Sequence, residues 1–121
     1  MSDFIRKHKE EYKRLKSCYC PILNKVIYFN FMGFDHLLHK NKRPRSIKEI
    51  YSRLHLLKYV KTVILKSNSV GYRRIKTLVQ CKLEHRIGDT IIKVIAQKKG
   101  EGSYIFLSIM RKRIRNKKTQ N

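Results

Sequence analysis

The sequence predicts an α+β domain in which N-terminal helices pack on an antiparallel β-sheet formed mainly by the C-terminal half. Three observations predict it. Apolar residues recur at helical spacing near the N-terminus and again after Ser46. Residues 72–83, 90–97 and 103–110 are rich in β-branched and aromatic side chains, and turn-forming stretches separate them. One apolar run, residues 25–31, lies between the helices and reads as an inserted strand. The 121 residues suffice for one domain with a modest core, assigned to residues 1–110 and followed by a basic tail over 111–121.

The first helix is expected to run from a Ser2 or Asp3 cap to about Lys16, because Phe4, His8, Tyr12 and Leu15 fall on one face. On that face His8 reads as a packed histidine. Cys18-Tyr19-Cys20-Pro21 should end the helix and form a connector. Residues 25–31 carry apolar side chains on both strand faces, as a centrally placed strand does, and Gly33 is expected to end it. One or two helical turns anchored by Phe34, Leu37 and Leu38 then present His36 and His39, three apart, on one face. Asp35 stands beside them to orient an imidazole.

Ser46-Ile47-Lys48-Glu49 is a capping box, in which the Ser46 hydroxyl takes the Glu49 amide and the Glu49 carboxylate reaches back. It opens a core helix with Ile47, Ile50, Tyr51, Leu54 and Leu57 on the buried stripe. Arg53 falls off that stripe and is expected to face the same anion as Arg45, whereas His55 reads as structural. Residues 59–65 continue the helix or form a strand. After a loop at 67–71 come the three strand stretches, joined by turns at 84–89 and 98–102, which together make an antiparallel meander.

Lys and Arg number 30 against 8 Asp and Glu, for a formal net charge of +22. Such self-repulsion opposes compaction and points to a polyanionic partner, nucleic acid first and an acidic protein inhibitor second. A general surplus of surface lysines accounts for only part of so large an excess. Lys40, Lys42, Arg43 and Arg45 follow directly on the paired histidines and are candidate RNA-binding residues with Arg53; the plain alternative is a solvated basic loop. Cys18, Cys20 and Cys81 are an odd number with no disulfide framework, which points to a reducing, cytoplasmic setting. Zinc held by these thiols and His85 would fit no common ligand spacing, so no metal or cofactor is expected. There is no apolar leader and no run of about 18 apolar residues, so no membrane segment is expected.

The apolar strand leading into Gly33-Phe34-Asp35-His36-Leu37-Leu38-His39, the amphipathic helix after it, and the closing strand Tyr104-Ile105-Phe106-Leu107-Ser108-Ile109 together resemble the barnase, EndoU, colicin tRNase and RelE-like nuclease superfamily. The resemblance is closest to its small phage and mobile-element branch and spans residues 25–110. It implies helices followed by an antiparallel sheet, metal-independent RNA cleavage, and toxin-like action on tRNA or translating mRNA. It also implies an inhibitor protein, an antitoxin or immunity protein, that restrains the nuclease. By position it implies His36 or His39 as the family's histidine and Ser108 as its hydroxyl on the last strand. Lys93 or Arg86 would be the sheet cation that supports the transition state.

These residue types suit that chemistry. Cleavage without metal uses the RNA 2′-hydroxyl as nucleophile and needs a base, an acid and cations around the phosphorane. Histidine exchanges protons near neutrality, and arginine forks onto phosphate. The product is a 2′,3′-cyclic phosphate, and DNA, which lacks the 2′-hydroxyl, should resist. A metal-dependent alternative, Asp89 with Gln97-Lys98-Lys99, lacks the clustered carboxylates of two-metal sites. The other alternative is a non-catalytic RNA-binding protein, ribosome-associated or structural, with Tyr72, Tyr104 and Phe106 as stacking platforms. Strict alternation puts Tyr104, Phe106 and Ser108 on one face, where a catalytic Ser108 conflicts with a wholly apolar core.

Overall fold

The computed structural model of the chain describes residues 2–68 and 70–112. Helices come first and the C-terminal half builds most of the sheet, the α+β arrangement that the sequence predicts. Helix α1 (Ser2–Lys13) buries Tyr12 and packs Phe4 and His8 on the same face, and Leu15 follows in the turn. His8 packs on the Phe4 ring, with centroids 4.3 Å apart. The helix stops short of its pattern, and Lys16 takes a left-handed φ of 56° as the chain turns into β1 (Ser17–Cys20). This strand replaces the expected connector. Cys18 and Cys20 point inward, Tyr19 points out, and the strand pairs antiparallel with β2 (Lys25–Tyr28).

Strand β2 is shorter than the apolar run that announced it. Asn30 caps helix α2 (Phe31–Leu38) by accepting from the Gly33 amide at 3.3 Å, and the Tyr12 hydroxyl donates to the Asn30 carbonyl at 2.6 Å. Gly33 therefore does not end the strand. It is buried in the helix, where a Cβ would come within 2.4 Å of the Phe106 carbonyl oxygen and 2.5 Å of the Tyr12 hydroxyl. Only glycine lets α2 lie directly on the last strand.

Two short strands, β3 (His39–Lys40) and β4 (Arg43–Pro44), form a small ribbon before helix α3 (Ile47–Leu56). Ser46 caps α3, accepting from the Glu49 amide at 3.1 Å as the capping box requires. Ile50, Leu54, Leu56 and Leu57 are buried. Ile47 is exposed, and Tyr51 lies at the surface against Phe4, so the buried stripe is narrower than predicted. A 3-10 turn (Leu57–Tyr59) leads into α4 (Val60–Lys66), which makes residues 59–65 helical.

The meander consists of β5 (Val70–Ile75), β6 (Leu78–Ile87), β7 (Thr90–Lys99) and β8 (Tyr104–Arg111). The stretch 72–83 is two strands, because Lys76 and Thr77 make a tight turn without the Gly or Asn that usually announces one. In the predicted turn at 84–89, only Gly88 and Asp89 leave the strands. The sheet order is β1-β2-β8-β7-β6-β5, with β2 parallel to β8, so the sheet is mixed rather than purely antiparallel. Ile27, Leu83, Val94, Phe106 and Ile109 are fully buried on one face, against Leu54, Val60, Val63 and Ile64 of the helices. By register the other face carries Tyr19, Tyr28, Lys82, Arg86 and Lys93. Arg111, assigned to the tail, is still in β8; the tail from residue 113 lies outside the described residues. Among the described residues, no helix is long and apolar enough to cross a membrane.

Candidate active site

Four elements converge at the C-terminal half of β8. Helix α2 brings His36, and the chain then returns through the small ribbon so that Arg45 folds back beneath it. The Arg45 amide donates to the Leu38 carbonyl at 2.8 Å, and its Nε donates to the His36 carbonyl at 3.0 Å. The side chain is almost wholly buried. Its Nη1 stands 3.6 Å from Glu49 Oε2, an ion-pair separation beyond hydrogen-bond reach, and has no hydrogen-bond partner. His36 Nδ1 is likewise buried without a partner. From α3, Arg53 Nη1 donates to Ser108 Oγ at 2.5 Å.

Strict alternation places Ser108 with Phe106 in the core. A β-bulge intervenes. Phe106 stands opposite Ala96, whereas Ser108 stands opposite Ile95, so Leu107 is the extra residue and the alternation breaks before Ser108. Tyr104 and Phe106 stay in the core, which removes them as stacking platforms, while Tyr72 is exposed on β5. Ser108 itself is only 1% exposed beneath Arg53.

Lys93 lies two residues from Ile95 on the same face and is a diagonal neighbour of Ser108, roughly 7–8 Å away. Arg86 shares the face but sits on β6 opposite Ile91, roughly 17 Å from Ser108 by strand spacing and rise. The fold thus gathers His36, Arg45, Arg53, Ser108 and Lys93 and leaves Arg86 apart. Asp89 stands in the turn before β7 and Gln97 near that strand's far end, hydrogen-bonded to Gln80, so the metal-dependent arrangement does not assemble.

His39 does not join His36. Helix α2 ends at Leu38, and His39 is its extended C-cap with φ −132°, so the shared-face argument from helical spacing fails there. Its Nδ1 lies 3.1 Å from Asp35 Oδ1, and Asp35 orients this exposed ring rather than His36. Lys40, Lys42 and Arg43 are exposed on the small ribbon, and of that basic run only Arg45 turns inward.

Burial lowers the His36 pKa from its ordinary value, and the nearby Arg45 and Arg53 charges lower it further against the opposing pull of Asp35. The shift favours the neutral imidazole. Burial also lowers Arg45 and Arg53, and Arg45 pushes Arg53 down further while Glu49 opposes both shifts. The guanidinium groups nonetheless stay charged. Two such cations share one half-exposed carboxylate, which leaves a positive seat shaped for an anion.

A cleft of about 260 Å³ opens beside the seat between α3 and the end of β8, lined by Glu49, Ser52, Arg53, Met110, Arg111 and Lys112. Arg111 Nη1 donates to Ser52 Oγ at 3.3 Å. The composition of the C-terminus hid Arg111 among tail cations; its register opposite Ile92 brings it to α3. Among the described residues, no three His, Cys, Asp or Glu side chains gather where they could hold a metal ion. The three thiols are buried in the core, and burial pushes their pKa values up, that of Cys81 to about 11. No family model matches the chain, and no curated protein or solved structure matches it.

Proposed function

We propose that the chain is a metal-independent endoribonuclease that directs an RNA 2′-hydroxyl onto the adjacent phosphate. One observation carries this reading. His36 Nδ1 and Arg45 Nη1 are buried without hydrogen-bond partners beside the Arg53–Ser108 pair. A buried polar atom left unsatisfied costs about 1–3 kcal/mol, and an oxyanion arriving at this seat would meet that demand.

The neutral His36 imidazole takes the proton of the attacking 2′-hydroxyl. The new P–O bond forms as the bond to the 5′-oxygen breaks. Arg45 and Arg53 hold the charge that builds on the non-bridging oxygens, with Lys93 as a further cation from the sheet. Ser108 accepts from Arg53, so its own proton is free to donate to a phosphate oxygen. The imidazolium returns its proton to the leaving 5′-oxygen, giving a 2′,3′-cyclic phosphate and a 5′-hydroxyl. The superfamily resemblance supports toxin-like action, with tRNA among the candidate substrates and an acidic antitoxin or immunity protein as inhibitor. Buried free thiols support a reducing, cytoplasmic setting.

The test is cleavage of total RNA by purified protein in EDTA, with His36→Ala and Arg53→Gln beside it. Discrete fragments with cyclic phosphate ends, lost in both variants while RNA binding persists in His36→Ala, support the reading. Binding without cleavage by the wild type sinks it in favour of a non-catalytic RNA-binding module. Cleavage that returns only with magnesium sinks its metal independence.

A further inference from the structure

We propose that the β1–β2 hairpin carries a stacking platform for unpaired bases of a single-stranded nucleic acid, formed by Tyr19 and Tyr28. Both rings are held in regular strands yet remain 47% and 44% exposed. Tyr19 pairs with Val26, and Tyr28 pairs with Ser17, so the two rings share one face and are diagonal neighbours roughly 7–8 Å apart. The Tyr19 hydroxyl is hydrogen-bonded to the Asn24 side chain at the turn of the hairpin. With Lys25 and Lys98 the tyrosines line an open, largely polar hollow of about 380 Å³, in which Glu101 is the acid.

The platform lies beside β8, the strand that carries Ser108. Tyr28 stands beside Ile105 of β8, three residues before Ser108. Strand spacing and rise put Tyr28 roughly 10 Å and Tyr19 roughly 19 Å from Ser108. Across the platform's face the register sets Arg73, Lys82, Arg86, Lys93 and Lys99 against Glu84, whose carboxylate is taken by Lys112 at 3.1 Å. Cations select a polyanion, and exposed aromatic faces among them select one whose bases are unstacked and free. A duplex, with its bases stacked inside, gains the cations but not the rings.

The platform deepens the ribonuclease reading and takes its position relative to a scissile phosphate from that reading. It names the substrate as an unpaired segment whose neighbouring nucleotides lie along β8 towards the hairpin. The base contact itself does not depend on cleavage.

The test uses the full chain and a short fluorescein-labelled 2′-O-methyl oligouridine, which cannot be cut because its 2′-oxygen is blocked. Tyr28→Leu and Tyr19→Leu keep an apolar strand residue and should each weaken binding of this strand by about tenfold. Tyr28→Phe and Tyr19→Phe keep the ring and should bind as the wild type does. A blunt RNA duplex should bind all five proteins alike. Leucine variants that hold the single strand at wild-type affinity overturn the platform, as does an equal loss on the duplex. Dimers that dissociate in the leucine variants, with single-strand binding unchanged, give the face to a second copy and also overturn it. A tenfold loss in a protein that cuts no RNA supports the platform and removes the ribonuclease alone.

Discussion

Phe106 and Ser108 are two residues apart on β8, and each is at most 1% exposed, yet they belong to different regions of the molecule. Phe106 meets the rings of Tyr12 and Phe29 at 6.0 and 5.2 Å and is held by packing alone. Ser108 meets a guanidinium, in a region where Arg45 and His36 are buried with polar atoms unpaired. The first region supplies stability and the second consumes it. A rigid core beneath the cations holds them close despite their repulsion.

The sharpest break between the two regions should come from His36→Ala. If His36 is the base, single-turnover cleavage falls by about 10²–10⁴-fold while the thermal midpoint stays near the wild type. Loss of folding in step with activity would merge the regions and defeat the assignment. Phe106→Ala should do the opposite. It empties a filled core site and should cost about 3–5 kcal/mol in urea unfolding, with any activity that remains following the folded fraction.

Arg45→Met is the next test, and its two readouts should diverge. Removing this buried cation relieves repulsion on Arg53 but also removes the Nε donor to the His36 carbonyl. Stability should therefore change little, by about 1 kcal/mol or less, while RNA binding and cleavage fall. A loss of about 3–5 kcal/mol instead would make Arg45 a structural ion-pair partner of Glu49 and not part of an anion seat.

The legibility of the two regions in the sequence differs for the same physical reason. Core elements announce themselves by period, and the meander, the Ser46 cap and the buried face of α1 were all readable from spacing. Period also misled where a local break intervened. Helical spacing paired His39 with His36, but the helix ends one residue before His39. Alternation put Ser108 in the core, but Leu107 shifts the register. Gly33 read as a strand terminator, although its role is the close contact of α2 with Phe106, a long-range constraint invisible to any local window. β1 was missed because four residues with two cysteines have no strand signature until β2 lies beside them. Arg45 and Arg53 were legible as cations beside the histidine turn, and the contact of Arg53 with Ser108 was not.

The pH response separates the regions more gently. The His36 pKa is lowered in the fold, so below about pH 6.5 the unfolded chain binds the proton that the native imidazole resists. Stability is therefore full above that pH, falls as pH descends towards the folded pKa, and levels off beyond it. Cleavage should fade at the lower end of that descent, where the native base becomes protonated. His36→Asn should flatten the stability change in that window, measured by urea unfolding at successive pH values. A wild-type slope that survives the substitution would place the titration on another group.

The smallest effect is expected at His39, and it tests whether proximity in sequence or in space defines the site. His39 pairs with Asp35 at the surface, where both side chains are close to half exposed. Exposed pairs of this kind contribute about 0–1 kcal/mol, and salt screens them. His39→Ala should therefore leave cleavage at the wild-type rate and change unfolding by no more than that amount, with the difference vanishing in high salt. Were its rate to drop as far as that of His36→Ala, the imidazole beyond the end of α2 would be the one that meets substrate. The seat formed by Arg45 and Arg53 would then hold RNA without supplying its base.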